Sequence, residues 1–220
     1  NSLGLPNPGF QKAGEYMEKI EMIEGCPVGA SVMGDPGSEG IKYAEEVVEG
    51  LERLEDVVDF LEVNESCPNT ESELAQEEGL EERLEYIREN YSGELPVIVK
   101  LSLDTDKERI PEVIDLLVEN GFDGINLGNT SSRHSEYREE IAEEERSKYD
   151  TFTEEIGGGV SGDPVKEKSL ELAEKAEEYI DKEYEGREFH VIRTGGISGI
   201  EDLEDSEKAG VSMSQWYTGY

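Results

Sequence analysis

Short apolar runs rich in Val, Ile, Leu and Phe recur near residues 28–33, 57–63, 96–102, 123–128, 189–193 and 211–216. Each is nearly continuous, as strands covered on both faces require. Between them apolar positions fall three and four apart: Ile41, Ala44, Val47, Val48, Leu51 and Leu54, then Val113, Ile114 and Leu117, then Leu172, Ala173, Ala176 and Ile180. That spacing lays one apolar stripe along a helix. The pattern predicts an α/β fold in which six strands alternate with helices. Such alternation suits either a (β/α)8 barrel or an open doubly wound sheet, and periodicity does not choose between them.

Nothing reads as a Gly/Ser-rich or Pro-rich linker, and 220 residues at 35% hydrophobic content suffice to bury one core. A single domain over residues 1–220 is expected. No apolar run approaches the roughly 18 residues that span a bilayer, and no signal peptide opens the chain, so the expectation is a soluble, cytoplasmic protein. The longest stretch between strands, residues 131–162, carries a charged helical patch from Glu136 to Lys148. It is too long for an ordinary strand-to-helix loop and reads as a lid or an added helix over the strand ends.

Charge changes the picture. The chain holds 55 Asp and Glu against 20 Lys and Arg, a formal net charge of -35, which argues against nucleic acid as a partner. The acids are spread over the chain, as in Glu45-Glu46, Glu81-Glu82, Glu139-Glu140 and Glu177-Glu178, the surface expected of a protein from a high-salt cytoplasm. At molar salt the Debye length is about 3 Å, so repulsion between carboxylates is screened, whereas dilute buffer leaves it to oppose compaction. The melting temperature is therefore expected to rise between about 0.1 M and about 3 M KCl. A flat melting temperature across that range, followed by circular dichroism, would count against the reading.

Cys26 and Cys67 are the two cysteines, and neither belongs to a CxxC pair nor lies at ligand spacing from a histidine. His134 and His190 stand apart in the sequence. These spacings assign no metal. Cys26, beside Pro27 where a strand begins, reads as a structural residue.

Cys67 sits differently. The run Asn64-Glu65-Ser66-Cys67-Pro68-Asn69 follows the apolar segment 57–63, so two carboxamides and a thiol stand where a buried strand passes into a loop. Parallel α/β proteins do their chemistry at such ends. Carboxamides suit a planar amide or imide ring, and a thiol between them can exchange a proton. The run closely resembles the active-site segment of dihydroorotate dehydrogenases, Asn-x-Ser-(Cys or Ser)-Pro-Asn. Five further segments match that family in the same order: Asn1-Ser2-Leu3-Gly4-Leu5-Pro6-Asn7, Pro96-Val97-Ile98-Val99-Lys100, Asn129-Thr130, Gly158-Gly159-Val160-Ser161-Gly162, and Gly195-Gly196 with Tyr217-Thr218.

The resemblance favours the (β/α)8 TIM barrel, with about six of its eight strands in this chain, incomplete at both ends. It implies an FMN-dependent oxidation of dihydroorotate to orotate in pyrimidine biosynthesis, with Cys67 as the catalytic base for the C5 proton and the C6 hydride passing to FMN N5. It assigns Asn1, Asn64, Asn69, Asn129 and Thr130 to the substrate. FMN falls to Asn64, Lys100, Gly162, Gly195, Gly196, Tyr217 and Thr218. Independently of the family, a Lys ending a buried strand needs a partner, which an anionic reduced flavin would supply as well as a carboxylate could. Glycines after the last two strands would let backbone N–H groups approach a phosphate. The 195–199 segment carries no acid.

The electron acceptor stays open among quinone, fumarate and a partner subunit. Cys67 and Leu5-Pro6-Asn7 look like the soluble members with a Cys base. Thr70, and Asn129-Thr130-Ser131-Ser132-Arg133 with its long insertion, look like the quinone-using members with a Ser base. A quinone-linked enzyme would sit against the membrane's inner face, and a homodimer is among the assemblies open to it. Glu71-Ser72-Glu73-Leu74 lacks the Gly and basic residue usual after the Ser-type catalytic run. The alternatives are a flavoenzyme acting on another reduced pyrimidine of the dihydrouracil type, and a non-catalytic FMN-binding paralogue.

Overall fold

The computed structural model of the chain describes residues 7–66 and 79–217. Among them are six strands, β1 (Gly29–Val32), β2 (Phe60–Asn64), β3 (Val97–Leu101), β4 (Gly124–Leu127), β5 (His190–Thr194) and β6 (Met213–Gln215), each overlapping one of the apolar runs. Hydrogen-bonded neighbours follow chain order from β1 to β6, and β1–β2, β2–β3 and β5–β6 are parallel. The principal helices are α1 (Phe10–Met17), α2 (Gly40–Leu54), α3 (Leu80–Asn90), α4 (Ile110–Glu119), α5 (Lys166–Glu183) and α6 (Ile200–Lys208). No helix among the described residues is long and apolar enough to cross a membrane.

The residues fall into two compact units. One comprises the described residues up to Lys100 together with Asp115–Gly124. Its α2 buries Ala44, Val47, Val48, Leu51 and Leu54 of the predicted stripe, with Tyr43 buried and Ile41 half-buried at its start, and α3 adds Leu80, Leu84 and Ile87. Leu61 and Val63 of β2 and Val97 and Val99 of β3 have no solvent exposure. Each such side chain stabilises the fold by about 1.5–3 kcal/mol over its exposed state. Aspartates just before two strands fix their starts: Asp59 Oδ2 accepts from the Val28 N–H and Asp123 Oδ2 from the Val97 N–H, both at 2.8 Å. Cys26, read as structural, is exposed.

The other unit comprises Leu101–Ile114 and the described residues from Ile125 onward. Here α5 buries Leu172, Ala173, Ala176 and Ile180, again the predicted stripe. The long excursion after β4 is closed at its base by an antiparallel bridge between Ser131 and Val160. Its helical content extends past the predicted patch, as short turns at His134–Tyr137 and Arg146–Thr151 and a wider turn at Phe152–Ile156. A two-pronged pair of Arg138 with Asp150 (2.7 and 2.8 Å) ties the turns together. The Tyr149 hydroxyl donates to the His134 carbonyl, and His134 Nε2 lies 2.7 Å from the Gly158 carbonyl. His134 thus has a packing role.

Candidate active site

Strand β2 ends on Asn64, and its register pairs Asn64 with Lys100 and Glu62 with Ile98 of β3, and Ser31 of β1 with Glu62. Because strand side chains alternate between faces, Ser31, Glu62, Asn64 and Lys100 share one face. Four hydrogen bonds set the chain's exit from the strand. The Tyr43 hydroxyl donates to the Asn64 carbonyl (3.1 Å), the Glu65 N–H donates to the Lys100 carbonyl (2.9 Å), and Asn64 Oδ1 accepts from the Ser66 N–H (3.1 Å) while also taking the Ser66 hydroxyl (2.6 Å). The Ser66 N–H can only donate, which fixes the carboxamide orientation. Asn64 therefore commits its oxygen to this turn, and its NH2 is the end it can offer a ligand. Cys67, Asn69, Asn1 and Thr218 lie outside the described residues.

Charge at this strand end is arranged in pairs. Glu65 is buried and its Oε2 accepts from Arg83 Nε (3.2 Å) and Nη2 (2.8 Å), while the Arg83 guanidinium also lies 5.9 Å from the centre of the Tyr43 ring. Burial pushes the Glu65 carboxyl above the usual carboxylate range, and Arg83 pulls it back. Glu65 is therefore not the bare charge beside Cys67 that its position in the sequence suggests. Burial likewise pulls the Lys100 ammonium below the ordinary lysine value, opposed by the charge of Glu62. Glu62 also accepts from the Ser31 hydroxyl at 2.7 Å.

The second unit gathers Asn129, Thr130, Gly162, Gly195 and Gly196 through backbone proximity. After β4, Gly128 has φ +117° and a Cβ there would lie 1.8 Å from the Thr194 carbonyl oxygen, so only glycine lets β4 turn off against β5. A Cβ on Gly195 would lie 3.5 Å from the Asn129 carbonyl oxygen, and one on Gly159 would lie 1.9 Å from Thr130 Oγ1. The loop beyond Thr130 is gathered by buried Asp104, whose carboxylate accepts from the Ser131 hydroxyl and from the Ser132 N–H and hydroxyl, while its carbonyl accepts from Arg133. Asp104 lacks any local signature in the sequence.

Gly195 and Gly196 turn the chain off β5 with φ of +117° and +72°. A Cβ on Gly196 would stand 2.3 Å from Lys166 Cα and 2.6 Å from Lys166 N, so the turn rests on the first residue of α5. Gly162, with φ +82°, starts the short turn into that helix and accepts from the Val165 N–H. Beneath lies Arg193, 1% exposed and bonded to Ser169, Ser206 and two carbonyls. The 195–199 segment has no acid of its own, yet Asp202 accepts from the Ser198 and Gly199 N–H groups and Asp163 from the Ser198 hydroxyl. Burial alone would raise Asp202, but the bonds from Lys166 and Ser198 bring it down to about 2.

Thr194 Oγ1 lies 2.8 Å from both Asn126 Oδ1 and Gln215 Oε1, linking β4, β5 and β6. One hydroxyl proton serves one oxygen, so the other carboxamide is turned to present its NH2. Asn126 is fully buried, a polar position that the apolar pattern did not single out. Tyr217 is 85% exposed.

A profile of the dihydroorotate dehydrogenase family matches residues 1–220. The chain belongs to the dihydroorotate dehydrogenase family. Similar relatives include proteins named dihydroorotate dehydrogenase (quinone) from Rhodococcus erythropolis, 29% identical over all of this chain and 58% of the relative, and from Haloarcula marismortui, 28% identical over all of this chain and 57% of the relative. Another from Thermobifida fusca is 30% identical over all of this chain and 57% of its own length. The chain thus spans somewhat over half the length of these relatives. A crystal structure of DHODH in complex with ferulenol from Eimeria tenella superposes with a TM-score of 0.78 at 20% identity, covering 100% of this chain and 61% of that one. That likeness decides what periodicity left open: the fold is the (β/α)8 barrel of dihydroorotate dehydrogenases, of which the described residues carry six strands.

Proposed function

We propose that the protein oxidises dihydroorotate to orotate in pyrimidine biosynthesis, using bound FMN and passing the electrons to a quinone. What carries the reading is the pairing of Asn64 with Lys100 at two adjacent strand ends, one residue ahead of Glu65-Ser66-Cys67, in a chain that the family profile matches throughout. The relatives' names support quinone as acceptor. A lipid-soluble acceptor would bring the protein to the membrane's inner face. The acid-rich surface and the presence of Haloarcula among the relatives support a halophilic setting.

The residues fit a flavin mononucleotide. The Gly195–Gly196 turn is seated on the start of α5 with no room for a Cβ at Gly196, and a buried cation lies under it at Arg193. Gly162, Gly195, Gly196, Tyr217 and Thr218 would hold the phosphate end. Lys100 would place its ammonium against the pyrimidine edge of the ring, and Asn64 would offer its NH2. FMN, when bound, supplies the acceptor for the C6 hydride. The chain's own work is to orient and deprotonate: Asn1, Asn64, Asn69, Asn129 and Thr130 hold the substrate ring by amide and hydroxyl hydrogen bonds, and Cys67 takes the C5 proton.

The full-length protein should purify yellow, and anaerobic addition of dihydroorotate should bleach its flavin absorbance, with reoxidation by a soluble quinone. Bleaching by dihydrouracil but not by dihydroorotate would replace the proposed substrate, and a colourless protein that takes up no FMN would sink the proposal.

A further inference from the structure

We infer that the buried guanidinium of Arg193 is an electrostatic positioning residue for an anion, the phosphate of a flavin mononucleotide, held at the Gly195–Gly196 turn and the start of α5. The inference rests on the flavin reading above and deepens it.

Arg193 lies on β5 and is 1% exposed. Among the described residues its hydrogen bonds all end on neutral oxygens: Nε to the Ser169 hydroxyl (2.9 Å), Nη1 to the Ser206 hydroxyl (2.9 Å) and the Asp202 carbonyl (3.3 Å), and Nη2 to the Lys166 carbonyl (2.9 Å). Guanidinium stays protonated under such burial. A buried cation is ordinarily balanced by an anion in contact with it. The nearby carboxylates do not fill that role: the Asp202 side chain is engaged with Lys166 Nζ at 2.9 Å and with the Ser198 and Gly199 N–H groups. Asp205 bonds Lys208, and the side-chain charges of Asp202, Asp205 and Glu174 act on Arg193 through space alone. Arg193 is thus a buried cation with no carboxylate in hydrogen-bond contact among the described residues, and Asp202, Asp205 and Glu174 act on it from a distance.

That charge is wired to the turn from two sides. The Ser169 hydroxyl accepts from Arg193 and donates to the Gly195 carbonyl at 2.7 Å. The Lys166 carbonyl accepts from Arg193, while the Lys166 N and Cα are the atoms against which Gly196 is packed. Both the backbone that would face a phosphate and the field acting on it are therefore set by one side chain.

The test is the ratio of dissociation constants for riboflavin and FMN, measured by quenching of flavin fluorescence on the full-length apoprotein. The two ligands differ by the phosphate, so a purely structural defect weakens both alike and leaves the ratio unmoved. Arg193→Met should lower the ratio by about tenfold or more, as loss of a charge near the phosphate in a partly shielded site implies. Arg193→Lys, which keeps the charge and loses the fork of hydrogen bonds, should keep it within about threefold. A folded Arg193→Met protein with the wild-type ratio overturns the inference. Should that variant not fold, Arg193→Lys decides: a retained ratio supports the role and a tenfold fall overturns it. Wild-type protein that binds FMN no better than riboflavin, or binds neither, defeats the underlying cofactor reading, an outcome recognisable because no variant is involved.

Discussion

Replacing Cys67 by Ala is expected to lower steady-state oxidation of dihydroorotate by about 10²–10⁴-fold, the usual contribution of a positioned general base, while FMN stays bound. The separation of effects follows from where the groups lie. The residues proposed for the cofactor phosphate, Gly162, Gly195 and Gly196, belong to a different unit from the β2 strand end that leads to Cys67, and Gly196 is packed against Lys166 of its own unit. A free thiol ionises near pH 8.5 and only the thiolate accepts a proton, so wild-type turnover should climb as pH rises toward about 8.5. Stopped-flow bleaching of the flavin reads the step directly. Unchanged bleaching in Cys67→Ala, or a wild-type rate that falls with rising pH between about 6 and about 8.5, would remove Cys67 from the role of base.

The strands were legible because buried parallel strands are written as unbroken apolar runs, and β1 to β6 each overlap one. The helices were legible where burial is apolar. Helices α2 and α5 show their stripe in the sequence, whereas α6 buries Asp202 and Ser206 and thus has no apolar face to read. The short α1 buries only Gly14, and the apolar positions of α3, Leu80, Leu84 and Ile87, are few among its acids and went unread. At the site, the strand-end position of Asn64, Asn129 and Gly195 could be read from local order. The groups that hold them could not. Arg83 meets Glu65 across 18 positions, Arg193 meets Ser169 across 24 and Ser131 meets Asp104 across 27. In a chain with 55 acids, nothing local distinguishes the few carboxylates that folding buries from the many that stay in water. Burial in tertiary contact decides their chemistry, and the one-dimensional pattern does not record it.

Arg83 shows how much depends on such a contact. Among the described residues Glu65 Oε1 is buried without a hydrogen-bond partner, so the carboxylate leans on Arg83 through its other oxygen. Removing the guanidinium would leave a buried charge uncompensated, and Arg83→Ala is expected to lose about 3–5 kcal/mol of stability near neutral pH, read from the urea unfolding midpoint. The sign of the pH dependence follows from the carboxyl, whose folded-state value burial has already raised. Without Arg83 it rises further, so the folded variant holds a proton that the unfolded chain releases above about pH 4.3. The loss should be small in acid and grow as pH climbs above that value. Because a buried pair is poorly screened, the loss should persist at about 3 M KCl, unlike the contribution of surface acids. The double variant Glu65→Gln with Arg83→Met, which removes both charges, should recover most of the midpoint. A single-variant loss below about 1 kcal/mol would class the pair with exposed ion pairs. As the Glu65 N–H also bonds the Lys100 carbonyl, loosening this pair should blur the strand end that presents Asn64 and leads into Cys67, and turnover in Arg83→Ala should fall even at temperatures where the protein remains folded.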